Sequence, residues 1–178
     1  MATFQRYGPG ETAGEFVPGD FILAHRHNIL GGMISQAEKR RFRGPDGMYA
    51  HWTHAASIVD EDGTLVEAET MGVKRNPISR CKSDEYRLVR LGPEFSDEDR
   101  RRAVSYATAQ VGQAFGFLEM LGAGLYLLFG WPLRLMRRKH QICSGLVVRS
   151  LQAGGLLKEM DPFLTLPADL AKHYDARP

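Results

Sequence analysis

The sequence predicts an α+β fold in which a small antiparallel sheet packs against helices. Three observations carry that reading. A four-residue acidic turn joins two short β-prone runs between Thr53 and Ala68, which reads as a hairpin. Two stretches, Ser96 to Gly112 and Gln141 to Gly155, have helical apolar spacing and glycine stops. The coarse order is strand, helix, hairpin, strand, helix, apolar segment, helix, an α+β pattern with an antiparallel sheet and helices beside it.

The elements follow in order. Residues 1–16 are polar and glycine-rich and read as a flexible lead, with a single domain over 17–178. Val17-Pro18-Gly19-Asp20 is a turn before Phe21-Ile22-Leu23-Ala24, a short buried strand. Asn28 to Arg41 has a helical face of Ile29, Leu30, Met33, Ile34 and Ala37, weakened by Gly31-Gly32. Arg40 to Gly47 reads as a basic loop. Thr53 to Val59 and Thr64 to Ala68 are the hairpin strands, and Gly72 to Ser79 is a loop containing Pro77. Tyr86 to Leu91 alternates apolar and basic residues, as a half-exposed strand does.

Ser96 caps the next helix, and Asp97, Glu98 and Asp99 suit its positive end. Ala103, Val104, Ala107 and Val111 form its buried stripe. Phe117 to Met136 is mostly apolar but broken by Gly122, Gly124, Gly130 and Pro132. Pro167 to His173 is a short terminal helix.

Composition narrows the function. The chain has 178 residues, 43% hydrophobic and 25% charged, which is globular rather than disordered. A net charge of +2 is too small to argue for nucleic acid. The two cysteines, Cys81 and Cys143, are too few for a disulfide framework, and no Cys/His cluster has zinc spacing. No cofactor or metal is expected. Two thiols and an N-terminus without an apolar signal core give a cytoplasmic expectation. The sequence is silent on oligomeric state.

Thiol catalysis needs a thiolate, a base that makes it and a group that orients the base. Cys143 falls near a helix start, where the macrodipole lowers a thiol pKa. Arg137, Arg138, Lys139 and His140 precede it and favour the anion. Ser144 and Gly145 are small enough to let a substrate approach. The plain alternative is a buried structural cysteine. His54 starts one hairpin strand and Glu67 ends the other, so both fall at the open end of the ladder with a parity that allows one face. A carboxylate there can hold one ring nitrogen and leave the other for a thiol. His51 lies outside the strand and is expected to face solvent. Glu69 shares the parity of Glu67 but lies toward the loop. His25 and His27 flank the first strand as loop histidines.

Five short segments together resemble a known family. They are Pro18-Gly19-Asp20-Phe21-Ile22-Leu23, Thr53-His54-Ala55-Ala56-Ser57-Ile58-Val59, Gly63-Thr64-Leu65-Val66-Glu67-Ala68, Gly72-Val73 and Cys143-Ser144-Gly145-Leu146-Val147. In this order they resemble the circularly permuted, papain-like branch of the NlpC-type superfamily, its YiiX-like members most of all. Thr165-Leu166-Pro167-Ala168-Asp169-Leu170 is similar to that family's C-terminal end. The resemblance spans Val17 to Leu170. It implies a permuted papain-like fold, with Cys143 as nucleophile, His54 as base and Glu67 as orienting residue. It implies a cysteine peptidase or amidase acting on a peptide, cell-wall or other amide-containing substrate.

Two departures bear on the chemistry. The lecithin:retinol acyltransferase branch shares the permuted order but has His as third residue and Asn-Cys-Glu around its nucleophile. Here Glu67 and Ile142-Cys143-Ser144 stand in those places. The apolar segment 117–136, with Arg134, Arg137, Arg138 and Lys139 at its end, is longer than a simple peptidase needs. It reads either as two buried helical pieces or as an interfacial element in contact with a membrane surface. The alternatives to an amide hydrolase are a lipid-directed thiol hydrolase or acyltransferase on the same triad, and an inactive binding module.

Overall fold

The computed structural model describes residues 2–26, 38–39, 41–113 and 142–178. Among these, six strands form one open antiparallel sheet: β1 (Thr3–Tyr7), β2 (Phe21–His25), β3 (His54–Ile58), β4 (Thr64–Glu69), β5 (Gly72–Pro77) and β6 (Glu85–Arg90). Their spatial order is β1-β6-β2-β3-β4-β5. Among the described residues, three α-helices with both ends in view accompany the sheet: α1 (Asp97–Ala109), α2 (Cys143–Ala153) and α3 (Pro167–Tyr174). The expected α+β fold with an antiparallel sheet is therefore present. None of the helices among the described residues is long and apolar enough to cross a membrane.

Alternation along the strands builds two apolar layers. Phe21, Leu23, Ala55 and Val89 face the helices and meet Ala103 of α1, Val147, Val148 and Leu151 of α2, and Leu170 and Ala171 of α3. Ile22, Ala24, Ala56, Ile58, Leu65, Tyr86 and Leu88 face the other way. That second face is covered by Ala13 and Phe16 of the N-terminal segment and by Ile78 and Cys81 of a 3-10 turn, Ile78–Ser83. A sheet buried on both faces explains why β2 and β3 read as nearly continuous apolar runs.

The hairpin turns as expected. Asp60 Oδ1 accepts hydrogen bonds from the backbone N–H groups of Asp62 (3.1 Å) and Thr64 (2.8 Å). Gly63 takes φ of 77°, a conformation that disfavours any side chain, and a Cβ there would lie 2.6 Å from the Phe16 ring. The start of β2 is pinned by Asp20, which is buried. Its Oδ1 accepts from Arg100 Nη1 of α1 (2.7 Å) and from the Leu91 N–H (3.0 Å).

Several expectations are corrected. The lead over 1–16 contributes β1, which pairs with β6 from Thr3↔Arg90 to Tyr7↔Tyr86. Its Ala13 N–H donates to the Tyr86 hydroxyl at 2.8 Å. The loop over Gly72 to Ser79 is instead β5 followed by the 3-10 turn. Pro77 is tolerated because β5 is an edge strand, laddered to β4 alone. The basic loop before the hairpin closes into a 3-10 helix, Gly44–His51. Helix α1 has the expected Ser96 cap, which Asp99 completes as a capping box, but it ends at Ala109, which leaves Val111 exposed.

Of the helix expected over Asn28 to Arg41, only Glu38, Lys39 and Arg41 are described, all in helical backbone. Residues 117–136 and Arg137 to His140 lie outside the described residues, as does His27.

Candidate active site

The structure brings Cys143, His54 and Glu67 together. Cys143 is the first residue of α2, preceded by Ile142 in extended backbone. Helix α2 packs on α1, β3 and β4. Strands β3 and β4 are laddered only at Ser57↔Val66 and Ile58↔Leu65, although β4 stays paired with β5 out to Glu69↔Gly72. The N-terminus of α2 meets the sheet where that ladder has ended. The Ala55 N–H, which β4 does not engage there, and the Ser144 N–H both favour the Cys143 thiolate.

His54 begins β3, opposite Ala24 of β2. Its Nε2 lies 2.6 Å from Glu67 Oε2, both groups being buried. With Nε2 engaged, Nδ1 is left for the thiol, and the His54 ring and Cys143 are close enough for each to shift the other's pKa. Asn76 Nδ2 of β5 donates to the other Glu67 oxygen at 2.9 Å. Arg80 Nη1 in turn donates to Asn76 Oδ1 at 2.8 Å.

The electrostatics follow from these partners. Burial pushes the Cys143 thiol up, but the hydrogen bond and charge of His54 and the two N–H donors outweigh it, so its pKa falls below the usual thiol value. Burial pushes His54 down, but its bonds to Cys143 and Glu67 outweigh that, and its pKa rises. Burial also raises Glu67, yet the His54 hydrogen bond and charge, with Arg26 and Asn76, bring its pKa down to about 2. The three shifts favour the same microstate: thiolate, imidazolium, carboxylate. Such an arrangement can supply a nucleophile and move one proton between sulfur and the ring.

The other sequence candidates lie elsewhere. His51 is not turned to solvent. Its ring stacks on His25 with centroids 4.2 Å apart, and its edge meets Trp52. Its Nε2 is 3.3 Å from Glu85 Oε2. Glu69 pairs with Arg26 (3.5 Å) and Arg80 (3.4 Å) rather than with His54. Cys81 is buried and free, like Cys143, and lies against Arg26 Nη2 at 3.8 Å. Burial pushes its thiol up, in contrast to Cys143.

Ser144 and Gly145 are small for packing reasons rather than to open a path. Ser144 is buried and donates to the Thr165 carbonyl at 2.6 Å. A Cβ on Gly145 would sit 2.3 Å from the Pro162 carbonyl oxygen.

Two charged residues at the site went unread in the sequence. Arg26, just beyond β2, donates Nη2 to Glu67 Oε2 at 2.8 Å. Glu38 is fully buried; its Oε1 accepts from the Ala168 N–H of α3 at 2.9 Å, and no partner among the described residues reaches its Oε2. Burial pushes the Glu38 carboxyl well up, and the nearby Cys143 charge adds to that. An arginine directly after a buried strand that runs beside His54 was the available signal for the first. Among the described residues, no group of three or more His, Cys, Asp or Glu is placed to hold a metal ion. No family model and no curated protein matches the chain.

Proposed function

We propose that the protein is a cysteine hydrolase that cleaves an amide bond of peptide or cell-wall type through a thioacyl-enzyme on Cys143. The observation that carries this reading is the 2.6 Å hydrogen bond between Glu67 Oε2 and His54 Nε2, which leaves the other ring nitrogen for the Cys143 thiol at a helix N-terminus. A structural cysteine requires none of these partners. The order of the residues, with His54 and Glu67 ahead of Cys143, supports a permuted papain-like scaffold.

The reaction follows from the positions. His54 takes the thiol proton, and the sulfur attacks the substrate carbonyl carbon. Negative charge gathers on the carbonyl oxygen, where the Cys143 N–H, free of any intrahelical acceptor at the first helical position, is the natural donor. The imidazolium passes its proton to the leaving nitrogen as the C–N bond breaks. A water molecule, losing its proton to His54, then attacks the thioester. The acid departs, and the proton returns to the Cys143 sulfur.

A thiol-directed probe on wild type, Cys143→Ala and His54→Ala, followed by a screen of amide substrates, tests the reading. Labelling and turnover lost in both variants are expected. Labelling that persists in Cys143→Ala, or that moves only with Cys81, refutes it. Turnover of acyl lipids in place of amides would keep the triad and replace the substrate class.

A further inference from the structure

Glu67 Oε2 is shared. His54 Nε2 approaches it at 2.6 Å and Arg26 Nη2 at 2.8 Å. Arg26 is mostly buried and reaches further. Its Nη1 is 3.5 Å from Glu69 Oε1, its Nε is 3.5 Å from Asp84 Oδ2, and its Nη2 also touches the Cys81 sulfur. Its own backbone is held by Thr53, whose Oγ1 accepts from the Arg26 N–H at 2.9 Å, one residue before His54. Arg26 thus ties the end of β2 to the start of β3 through its backbone N–H, and to the end of β4 and the segment before β6 through its guanidinium.

We propose that Arg26 is a positioning residue of the Cys143 site: it clamps the Glu67 carboxylate so that Oε2 stays aimed at the His54 ring. The inference rests on the thiol-hydrolase reading of Cys143 and His54. A planar fork suits the task, because several N–H vectors are fixed at once where an ammonium offers a point charge.

The charge pattern gives the clamp a second effect. Among the described residues, the groups in the network that reaches the ring are Arg26 just beyond β2, Glu67 and Glu69 from β4, Asn76 from β5, Arg80, Cys81 and Asp84 from the segment before β6, and Cys143 from α2. Three carboxylates, Glu67, Glu69 and Asp84, stand against two guanidiniums, Arg26 and Arg80. With the Cys143 thiolate on the negative side, a protonated His54 is favoured. Arg26 itself opposes that proton by its own positive charge. It therefore both holds the carboxylate and limits how far the imidazolium persists into alkaline pH.

The test is the pH profile of Cys143 alkylation by iodoacetate, followed by mass spectrometry of the Cys143 peptide. Iodoacetate is an anion drawn to the imidazolium, so its alkaline limb reports the His54 proton. In Arg26→Gln the plateau rate falls about tenfold, the loss of a charge-assisted hydrogen bond, and the alkaline limb moves upward. In Arg26→Lys the charge remains, so the limb stays in place while the plateau falls.

Wild-type plateau and limbs in Arg26→Gln overturn the proposal. If Arg26→Gln does not fold, a wild-type plateau in Arg26→Lys overturns it equally. A wild-type protein that shows a single ordinary thiol limb, unchanged in His54→Ala, removes the hydrolase reading and the clamp with it. A wild-type bell with unaltered Arg26 variants removes the clamp alone.

Discussion

His54 Nε2 meets Glu67 Oε2 at 2.6 Å, although the β3–β4 register, continued from Ser57↔Val66, would set Glu69 opposite His54. The bond is a diagonal one, across strands whose ladder has already stopped. It predicts that two nearby carboxylates are not interchangeable. Glu67→Gln slows iodoacetamide alkylation of Cys143 by about ten- to a hundredfold, the worth of a charged hydrogen bond. Glu69→Gln changes it less than about threefold, as a pair near the surface should. Equal losses in the two variants would reject the assignment of Glu67.

The same pair sets a pH window for stability. Glu67 ionises near 2 in the fold against an ordinary 4.5, so its contribution is present above 4.5 and is lost as pH falls toward 2. His54 is raised above its ordinary 6.5, so its contribution is present below 6.5 and is lost as pH rises through the folded value. The urea midpoint of wild type should exceed that of Glu67→Gln most clearly between pH 4.5 and 6.5. A difference that does not vary with pH would contradict this.

Glu38 titrates with the opposite sense to Glu67. Burial holds its carboxyl protonated well above 4.5, so the folded state is favoured below that value and loses this advantage as pH rises through the folded pKa. Glu38→Gln keeps the shape and removes the titration. The variant is expected to gain on wild type with rising pH in thermal melts followed from pH 5 to 9. A parallel fall in both proteins would show that Glu38 is not the group responsible.

Breaking the Asp20–Arg100 pair should be costly because both side chains are largely buried. Arg100→Met leaves the Asp20 carboxylate without its cation and is expected to lose about 3 kcal/mol in urea unfolding. Asp20→Asn, which keeps a carbonyl oxygen for the Leu91 N–H, should lose less. Reversal of that order would mean the pair is not what pins β2 to α1.

Gly145→Ala places a methyl against the Pro162 carbonyl and forces α2 away from the segment that leads to α3. It should cost about 1–3 kcal/mol and slow Cys143 alkylation. Gly14→Ala, whose Cβ would meet nothing within 4 Å, is the matched control. Indistinguishable unfolding curves for the two would count against tight packing at Gly145.

What the sequence made legible is what short-range chemistry decides. The Asp60–Gly63 turn, the Ser96 cap and the Gly154-Gly155 stop are local signals, and each marks an element boundary. The hairpin placed His54 and Glu67 at one end by counting alone. Helix position and ordered family resemblance together singled out Cys143. Edge strands were harder. β1 carries Thr3, Gln5 and Arg6, and β5 carries Lys74 and Arg75, so neither has the apolar run of a strand buried on both faces.

Arg26 and Glu38 were not legible because distant pairings bring them in, whereas Asn76, nine positions from Glu67, was hidden because its strand β5 reads as a loop. Arg26 reaches Glu67 across 41 positions and Glu38 reaches Ala168 across 130, and no local pattern announces either contact. Ser144 and Gly145 show the reverse error, small residues read as access when their role is close packing.

The outer margin of β5 has a consequence for the behaviour of many copies together. The Val73 N–H and carbonyl, which point away from β4, are already taken by Gln113 O and Gly112 N at 2.9 Å each. Further along the same margin Pro77 has no N–H to give, and Lys74 and Arg75 are exposed and like-charged. A strand from a neighbouring molecule would find its hydrogen-bonding positions occupied, missing or guarded by repulsion. The sheet is closed to growth on that side, which protects a concentrated solution of this protein from polymerising edge to edge.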